Sequence, residues 1–264
     1  MSDTVGERYL EKVHAVVTGG SRGIGAAIAR ALARRGAAVT SFARDGETLD
    51  AQVKALHRGG ATAQGITCDV SNERSVEDAF ARAVDALGPV GVLVNGAGVA
   101  ESAPFSETTR TAWDRMIGVN LTGTFLCTAA VVPVMLDRGW GRIINIASTA
   151  GLRGYKTMTA YCASKHGVVG FTRALALETA RHGVTVNAIC PGYTDTDMAE
   201  RAVSNLVAAL GKSPDDARAM LIRSIPRGQL TTPEEVASAV AWLCSPDAGA
   251  VTGIAMPVAG GEVG

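Results

Sequence analysis

Tyr161 and Lys165 stand four residues apart in Tyr161-Cys162-Ala163-Ser164-Lys165. On a helix that spacing puts both side chains on one face, roughly 6 Å apart along the axis. A lysine cation beneath a phenol favours the phenolate, so the expected Tyr161 pKa is lowered and the group can give or take a proton near neutral pH. Ser148 comes thirteen residues earlier, after the run Arg142-Ile143-Ile144-Asn145-Ile146. A strand ending at Ser148 and a helix carrying Tyr161 would bring hydroxyl and phenol together. Alone, Tyr-x-x-x-Lys equally describes a surface tyrosine and a solvated lysine, so the rest of the chain must decide.

A second chemical stretch lies near the start. Glycines 19, 23 and 25 follow the apolar run His14 to Thr18 and open a helical pattern from Ala26 to Arg35. A tight turn needs permissive backbone, and without side chains there a pyrophosphate can approach the helix N-terminus. The spacing is G-x-x-x-G-x-G rather than the commoner G-x-G-x-x-G. Gly19, Ser21, Arg22, Gly23, Ile24 and Gly25 are the residues expected against the phosphates. The next strand ends Ala43-Arg44, with no carboxylate until Asp45. An acidic residue there would accept from the free 2′-hydroxyl of NAD. Arg44 with Arg22 can instead hold a 2′-phosphate, since guanidinium pairs with phosphate bidentately. That favours NADP(H) over NAD(H); two solvated surface arginines are the plainer alternative.

The elements that would position these groups alternate along the chain. Strands are expected at His14 to Thr18, Gly36 to Arg44, Ala63 to Cys68, Val90 to Asn95, Gly141 to Ala147, Thr185 to Cys190 and Ile254 to Val258. Helices are expected at about 46–58, 72–87, Thr111 to Arg138, Thr159 to His182 and Thr232 to Leu243. This is the pattern of βαβ units: an α/β, Rossmann-like, doubly wound parallel sheet of about seven strands with helices on both faces. Carboxyl ends of such strands line the ligand crevice. Asp69 and Val70 end the third strand; Asp69 would accept from an adenine amino group or cap the next helix. Asn95, Ala97 and Gly98 end the fourth, where small residues admit a ring or ribose. Asn120, with Trp113 and Phe125 on the apolar side of the same helix, reads as a satisfied core residue unless an active site lies beside it. Pro191 and Gly192 close the sixth strand. Residues 1–12 read as a polar lead-in, and 193–225, irregular from 197 on, as a lid.

The whole chain, 264 residues without a linker, suits one domain. With 47% hydrophobic and 19% charged residues it is not disordered, and 25 basic against 25 acidic residues give no reason to expect nucleic acid or an anionic membrane. Five cysteines (68, 127, 162, 190, 244) lie in apolar settings without metal-ligand spacing, which reads as buried thiols, no metal site and a reducing cytoplasm. The start lacks a signal sequence, and no apolar run approaches a membrane span.

Taken together, Thr18 to Gly25, Asp69-Val70, Asn95-Gly96-Ala97-Gly98, Asn120, Ser148, Tyr161-x-x-x-Lys165 and Pro191-Gly192 resemble the short-chain dehydrogenase/reductase family in order and spacing, over roughly residues 12–261. Ala163 to Thr172 and Arg142 to Thr149 look like the 3-oxoacyl reductases and the ketoreductases of aromatic polyketide synthesis. Two departures are Gly96, where asparagine is usual, and Ala259, where aspartate is usual before Gly-Gly. The resemblance implies a homotetramer and a tetrad of Asn120, Ser148, Tyr161 and Lys165. Hydride would pass between nicotinamide and a carbonyl carbon, including that of a thioester-linked substrate. Tyr161 would supply the proton and Ser148 would bond the same oxygen. Lys165 would hold the nicotinamide ribose, Asn120 a water leading from Lys165 to solvent, and Thr194 or Thr196 the carboxamide. The expected substrate wall includes Thr149, Leu152, Tyr155, Tyr193 and Met198, with Arg153 as a solvated loop arginine. Two other readings stay open: an NAD-linked dehydrogenase oxidising a secondary alcohol or 3-hydroxyacyl thioester, and an inactive dinucleotide-binding scaffold.

Overall fold

The computed structural model describes residues 8–263 of the chain. Seven short apolar runs form strands: β1 (His14–Thr18), β2 (Ala38–Ala43), β3 (Ala63–Thr67), β4 (Val90–Asn95), β5 (Gly141–Ile146), β6 (Val184–Pro191) and β7 (Ala255–Val258). All pair in parallel, in the order β3-β2-β1-β4-β5-β6-β7. The order reverses between β1 and β4, and the crevice at that switch point is where such sheets bind ligands. Ten α-helices connect them: α1 (Gly23–Arg34), α2 (Gly46–Arg58), α3 (Glu73–Leu87), α4 (Arg110–Ile117), α5 (Gly123–Ala129), α6 (Val132–Asp137), α7 (Thr159–Thr179), α8 (Asp197–Leu210), α9 (Pro214–Arg223) and α10 (Pro233–Leu243).

Successive strand residues point to opposite faces, and the core divides accordingly. Ala15, Val17, Val92, Val94, Ile144 and Ile146 pack with Ile28 and Leu32 of α1 and Val236 and Val240 of α10. Residues alternating with them, Val16, Leu93 and Ile143, pack with Phe80, Cys127 and Met135 on the other side. Both faces are therefore covered, which is why these strands read as nearly continuous apolar runs. Phe42 and Phe80 meet edge to face at 5.1 Å, each burial being worth about 2–3 kcal/mol.

The continuous helix expected over Thr111 to Arg138 is broken into α4, α5 and α6. A π-turn over Gly118–Thr122 joins the first two, and the chain breaks again before α6, which has Pro133 in its first turn. A single 3.6-residue period does not survive those interruptions, and Trp113 and Phe125 are 38% and 53% exposed. Residues 197–225 are not irregular: α8 and α9 pair through Val203, Ala217 and Leu221, with Tyr193 against them. Ser213 caps α9 and Pro214 starts it. Of the lead-in, residues 1–7 lie outside the described residues. The rest is not merely polar: Leu10 is fully buried, and the Tyr9 hydroxyl donates to the Ala241 carbonyl at 2.6 Å.

α10, expected from Thr232, opens on a capping box. The Thr232 hydroxyl accepts from Glu235 N–H at 3.2 Å, and the Glu235 carboxylate accepts from Thr232 N–H at 2.8 Å. Thr232→Ala is expected to cost about 1 kcal/mol and to lower Tm by roughly 2–4 °C, read by a thermal melt.

Candidate active site

β5 delivers Ser148 in extended backbone, and the Ser148 hydroxyl accepts from Ala150 N–H at 3.1 Å to start a 3₁₀ turn over Thr149–Gly151. Tyr161 stands in the first turn of α7, with Lys165 one turn on. The Lys165 ammonium is buried, donates to the Ile146 carbonyl at 2.8 Å and lies 5.8 Å from the Tyr161 ring centre. Gly98 approaches them from β4: a Cβ there would sit 3.4 Å from Asn120 Oδ1 and 3.6 Å from Lys165 Nζ. Ser148, Tyr161, Lys165, Asn120 and Gly98 therefore meet at the carboxyl ends of β4 and β5.

The electrostatics differ from the simple expectation. Burial pushes the Tyr161 phenol above its ordinary pKa, and the Ser148 hydroxyl beside it only partly opposes the rise. Burial also lowers Lys165 to about 8. A cation that is itself desolvated and bonded to a carbonyl does not overcome the desolvation of the phenol. Tyr161 is thus held protonated at neutral pH.

Asn120 lies in the π-turn, a distortion common at functional sites. Both of its side-chain donors are engaged. The amide oxygen accepts from Val99 N–H at 2.8 Å, and Nδ2 donates to the Val99 carbonyl at 2.9 Å and the Ser164 hydroxyl at 3.0 Å. It ties the β4 loop to α7, so no side-chain donor is left over for a water.

The glycine loop is shaped as a phosphate cradle. Gly19 and Gly23 have φ of +69° and +53°, a region side chains avoid, and a Cβ on Gly25 would strike the Gly19 carbonyl. The first turn of α1 has no side-chain cap and no acidic residue, so its N–H groups and positive dipole end are open to an anion. The Thr18 hydroxyl accepts from Gly96 N–H at 3.0 Å and Ala97 N–H at 3.1 Å, joining the loop to β4 across the switch point. Ser21 is half-buried and Ile24 packs on the core beneath the loop. Arg44 is exposed at the end of β2 and near enough to Asp69 to help lower its pKa, after the larger effect of the Ser71 hydrogen bond. Arg22 is exposed and faces Asp197 of α8 at 3.6 Å. These features fit a dinucleotide carrying a 2′-phosphate.

The other expected site residues are placed as follows within the fold. The Asn95 side chain turns into the core, donating to Thr128 Oγ1 at 3.0 Å and Asn145 Oδ1 at 2.8 Å, because alternation along β4 aims it inward. Asp69 Oδ1 accepts from Ser71 N–H and hydroxyl at 3.0 and 2.7 Å, so the carboxylate orders its own turn. Val70 is buried against Gly123. Pro191 pairs with Val258. Thr194 is buried, its hydroxyl on the Gly192 carbonyl at 3.1 Å. Thr196 packs its methyl towards Gly23, 3.3 Å from where a Cβ would stand. In the expected wall, Leu152 packs with Val168 and Ala147, whereas Met198 is 39% exposed. Tyr155 bonds Thr149 at 2.9 Å. Arg153 is not a free loop arginine: it lies 4.6 Å over the Tyr155 ring and pairs with Glu262. Glu262 was not singled out in the sequence, where it is only an acidic residue after two glycines; Thr18 was read as a strand end and the start of the glycine motif, with no bond to the β4 loop expected.

A doubly wound sheet with an open glycine-loop helix and a Tyr-Lys pair at its switch point defines a dinucleotide-dependent oxidoreductase. The sequence model of the short chain dehydrogenase family matches residues 13–206, and the chain belongs to that family. It is 44% identical over 249 residues to a candidate ketoacyl reductase of Streptomyces coelicolor, covering 94% of this chain and 95% of that one. It is 43% identical over 252 residues to an acetoacetyl-CoA reductase of Rhizobium meliloti, covering 94% and 97%. A crystal structure of a variant of actinorhodin polyketide ketoreductase with NADPH superposes with a TM-score of 0.92 at 43% identity, covering 95% and 97%.

The lowered Lys165 pKa makes a signed prediction. Between about 8 and the ordinary 10.5 the unfolded chain holds a proton that the folded lysine has released, so this group's contribution to stability rises with pH across that window. Lys165→Met removes the titration. Its stability relative to wild type should fall steadily as pH rises from about 8 towards 10.5, measured by urea unfolding at fixed ionic strength.

Proposed function

We propose that this chain is an NADPH-dependent ketoreductase that reduces the ketone of a 3-oxoacyl or polyketide-like substrate to a secondary alcohol. One observation carries the reading: a half-buried tyrosine stands beside a serine hydroxyl and near a buried lysine, at the crevice of a sheet whose glycine loop and Arg44 suit NADPH. NADPH, when bound, supplies the hydride. Tyr161 gives its proton to the carbonyl oxygen, and Ser148 donates a hydrogen bond to that oxygen. The Lys165 ammonium stabilises the phenolate left behind. A phenol held protonated at neutral pH is in the state reduction requires. Gly19, Gly23, Gly25 and the first turn of α1 receive the pyrophosphate, and Arg44, aided by Arg22, the 2′-phosphate. Asn120 acts by fixing Val99 and α7 rather than by lending its side chain to a proton path. The polyketide side of the reading is supported by the 43% identity to the NADPH-bound actinorhodin ketoreductase. The NAD-linked oxidative reading is not favoured, since the end of β2 offers an arginine where a carboxylate would be needed.

The same reading makes the chain one short-chain dehydrogenase domain with 193–225 as its lid, acting on a small carbonyl or alcohol, free or thioester-linked. Among the described residues, no helix is long and apolar enough to cross a membrane. Five buried free thiols support a reducing, cytoplasmic setting. Phe125 and Leu177, 53% and 84% exposed on α5 and α7, support burial against other copies in a homotetramer.

Purified protein should oxidise NADPH in the presence of 3-oxoacyl thioesters or cyclic ketones, and Tyr161→Phe should cut kcat by roughly 10²–10⁴-fold without weakening NADPH binding. Arg44→Ala should weaken NADPH by roughly 10- to 100-fold while leaving NADH unchanged, read by fluorescence titration. Equal affinity of the wild type for both cofactors would refute the role given to Arg44.

A further inference from the structure

Two residues of the expected substrate wall, Thr149 and Tyr155, form a hydrogen-bonded chain that ends on Glu262. This residue follows the turn Gly260-Gly261 after β7, and its side chain is 1% exposed. Oε1 accepts from the Tyr155 hydroxyl and, at 3.3 Å, from Arg153 Nη2. Oε2 is buried with no hydrogen-bond partner among the described residues, and it lies 2.5 Å from where a Cβ on Gly192 would stand. The charge of Glu262 also adds to burial in raising the pKa of Tyr193.

A tyrosine hydroxyl has one proton, and a carboxylate only accepts. That proton therefore goes to Glu262, and the 2.9 Å contact between Tyr155 and Thr149 is the Thr149 hydroxyl donating to the Tyr155 oxygen. The result is a directed chain from Thr149 through Tyr155 to Glu262, with Arg153 stacked on the Tyr155 ring at 4.6 Å. Thr149 is buried and opens the short turn that Ser148 caps. A carboxylate buried with one bare oxygen costs stability rather than adding it, so stability alone does not account for its position.

We propose that Glu262 is a positioning residue: by drawing the Tyr155 and Thr149 hydroxyls into one chain, it fixes the turn that carries Ser148 and so sets where a ketone oxygen rests between Ser148 and Tyr161. The role in catalysis rests on the ketoreductase reading. The anchoring of the turn does not.

The test uses the full chain with Glu262→Ala, Glu262→Gln, Tyr155→Phe and the Glu262→Ala/Tyr155→Phe double variant. It reads ketone kinetics, NADPH fluorescence titration and amide hydrogen exchange over 148–155. Glu262→Ala and Tyr155→Phe should each lower kcat/KM for the ketone roughly 10- to 100-fold, with NADPH affinity unchanged and faster exchange at Ala150 and Gly151. The double variant should be no worse than the more damaged single. Glu262→Gln can still accept from Tyr155 and should recover most of the rate. A lower Tm with unchanged kinetics and exchange would overturn the proposal. If Glu262→Ala does not fold, Tyr155→Phe, which removes one hydroxyl, decides the matter. A wild type that reduces no ketone would sink the ketoreductase reading instead, and unchanged exchange in the variants would then sink the anchoring.

Discussion

An ammonium held under the end of a strand by one backbone carbonyl is the contact on which the site depends. Lys165 donates to Ile146, two residues before Ser148, so the bond fixes the helix that bears Tyr161 against the strand that bears Ser148. A buried charge is costly unless it is bonded and electrostatically useful. Much of the surrounding structure serves to tolerate it. Gly98 leaves room at Nζ, and a Cβ on Gly151 would press on the Lys165 carbonyl. Asn120 holds the neighbouring loop and α7 together through Val99 and Ser164. Tyrosine and lysine are both displaced from their ordinary pKa values by the same dry surroundings, the phenol upward and the ammonium downward, and so move apart.

The framework was legible because it rests on local patterns. Apolar runs broken by helical stretches gave the strands. Glycines 19, 23 and 25 marked the loop by backbone permissiveness, which depends on residue type alone. Tyr161 and Lys165 were readable because four residues make one helical turn.

What escaped depended on distance along the chain or on small changes of phase. The π-turn around Asn120 adds a residue to a helical turn, and no local composition announces it. The helices of 197–225 were missed although their apolar residues pack on each other and on Tyr193, because Met198, Leu210 and Met220 stay exposed and blur the pattern. Glu262 lies more than 100 residues from Tyr155 and Arg153, and an acidic residue after Gly-Gly carries no sign of burial. The expected fall in the Tyr161 pKa failed for a related reason: charge pairing can be guessed from spacing, but desolvation cannot.

The inward-facing Asn95 has a consequence for how the sheet assembles. The central strands are apolar on both faces, so a slip of two residues between β4 and β5 would exchange one valine or isoleucine for another with little loss. Hydrophobic patterning therefore does not fix their alignment. The Asn95–Asn145 pair does, because Asn145 in turn donates to Thr172 on α7 at 2.9 Å and Asn95 to Thr128 on α5. Any misaligned pairing would strand two amides in a dry interior, at roughly 1–3 kcal/mol for each unmet group. The two asparagines act as a registration key for folding, rejecting near-native arrangements that an all-aliphatic centre would accept.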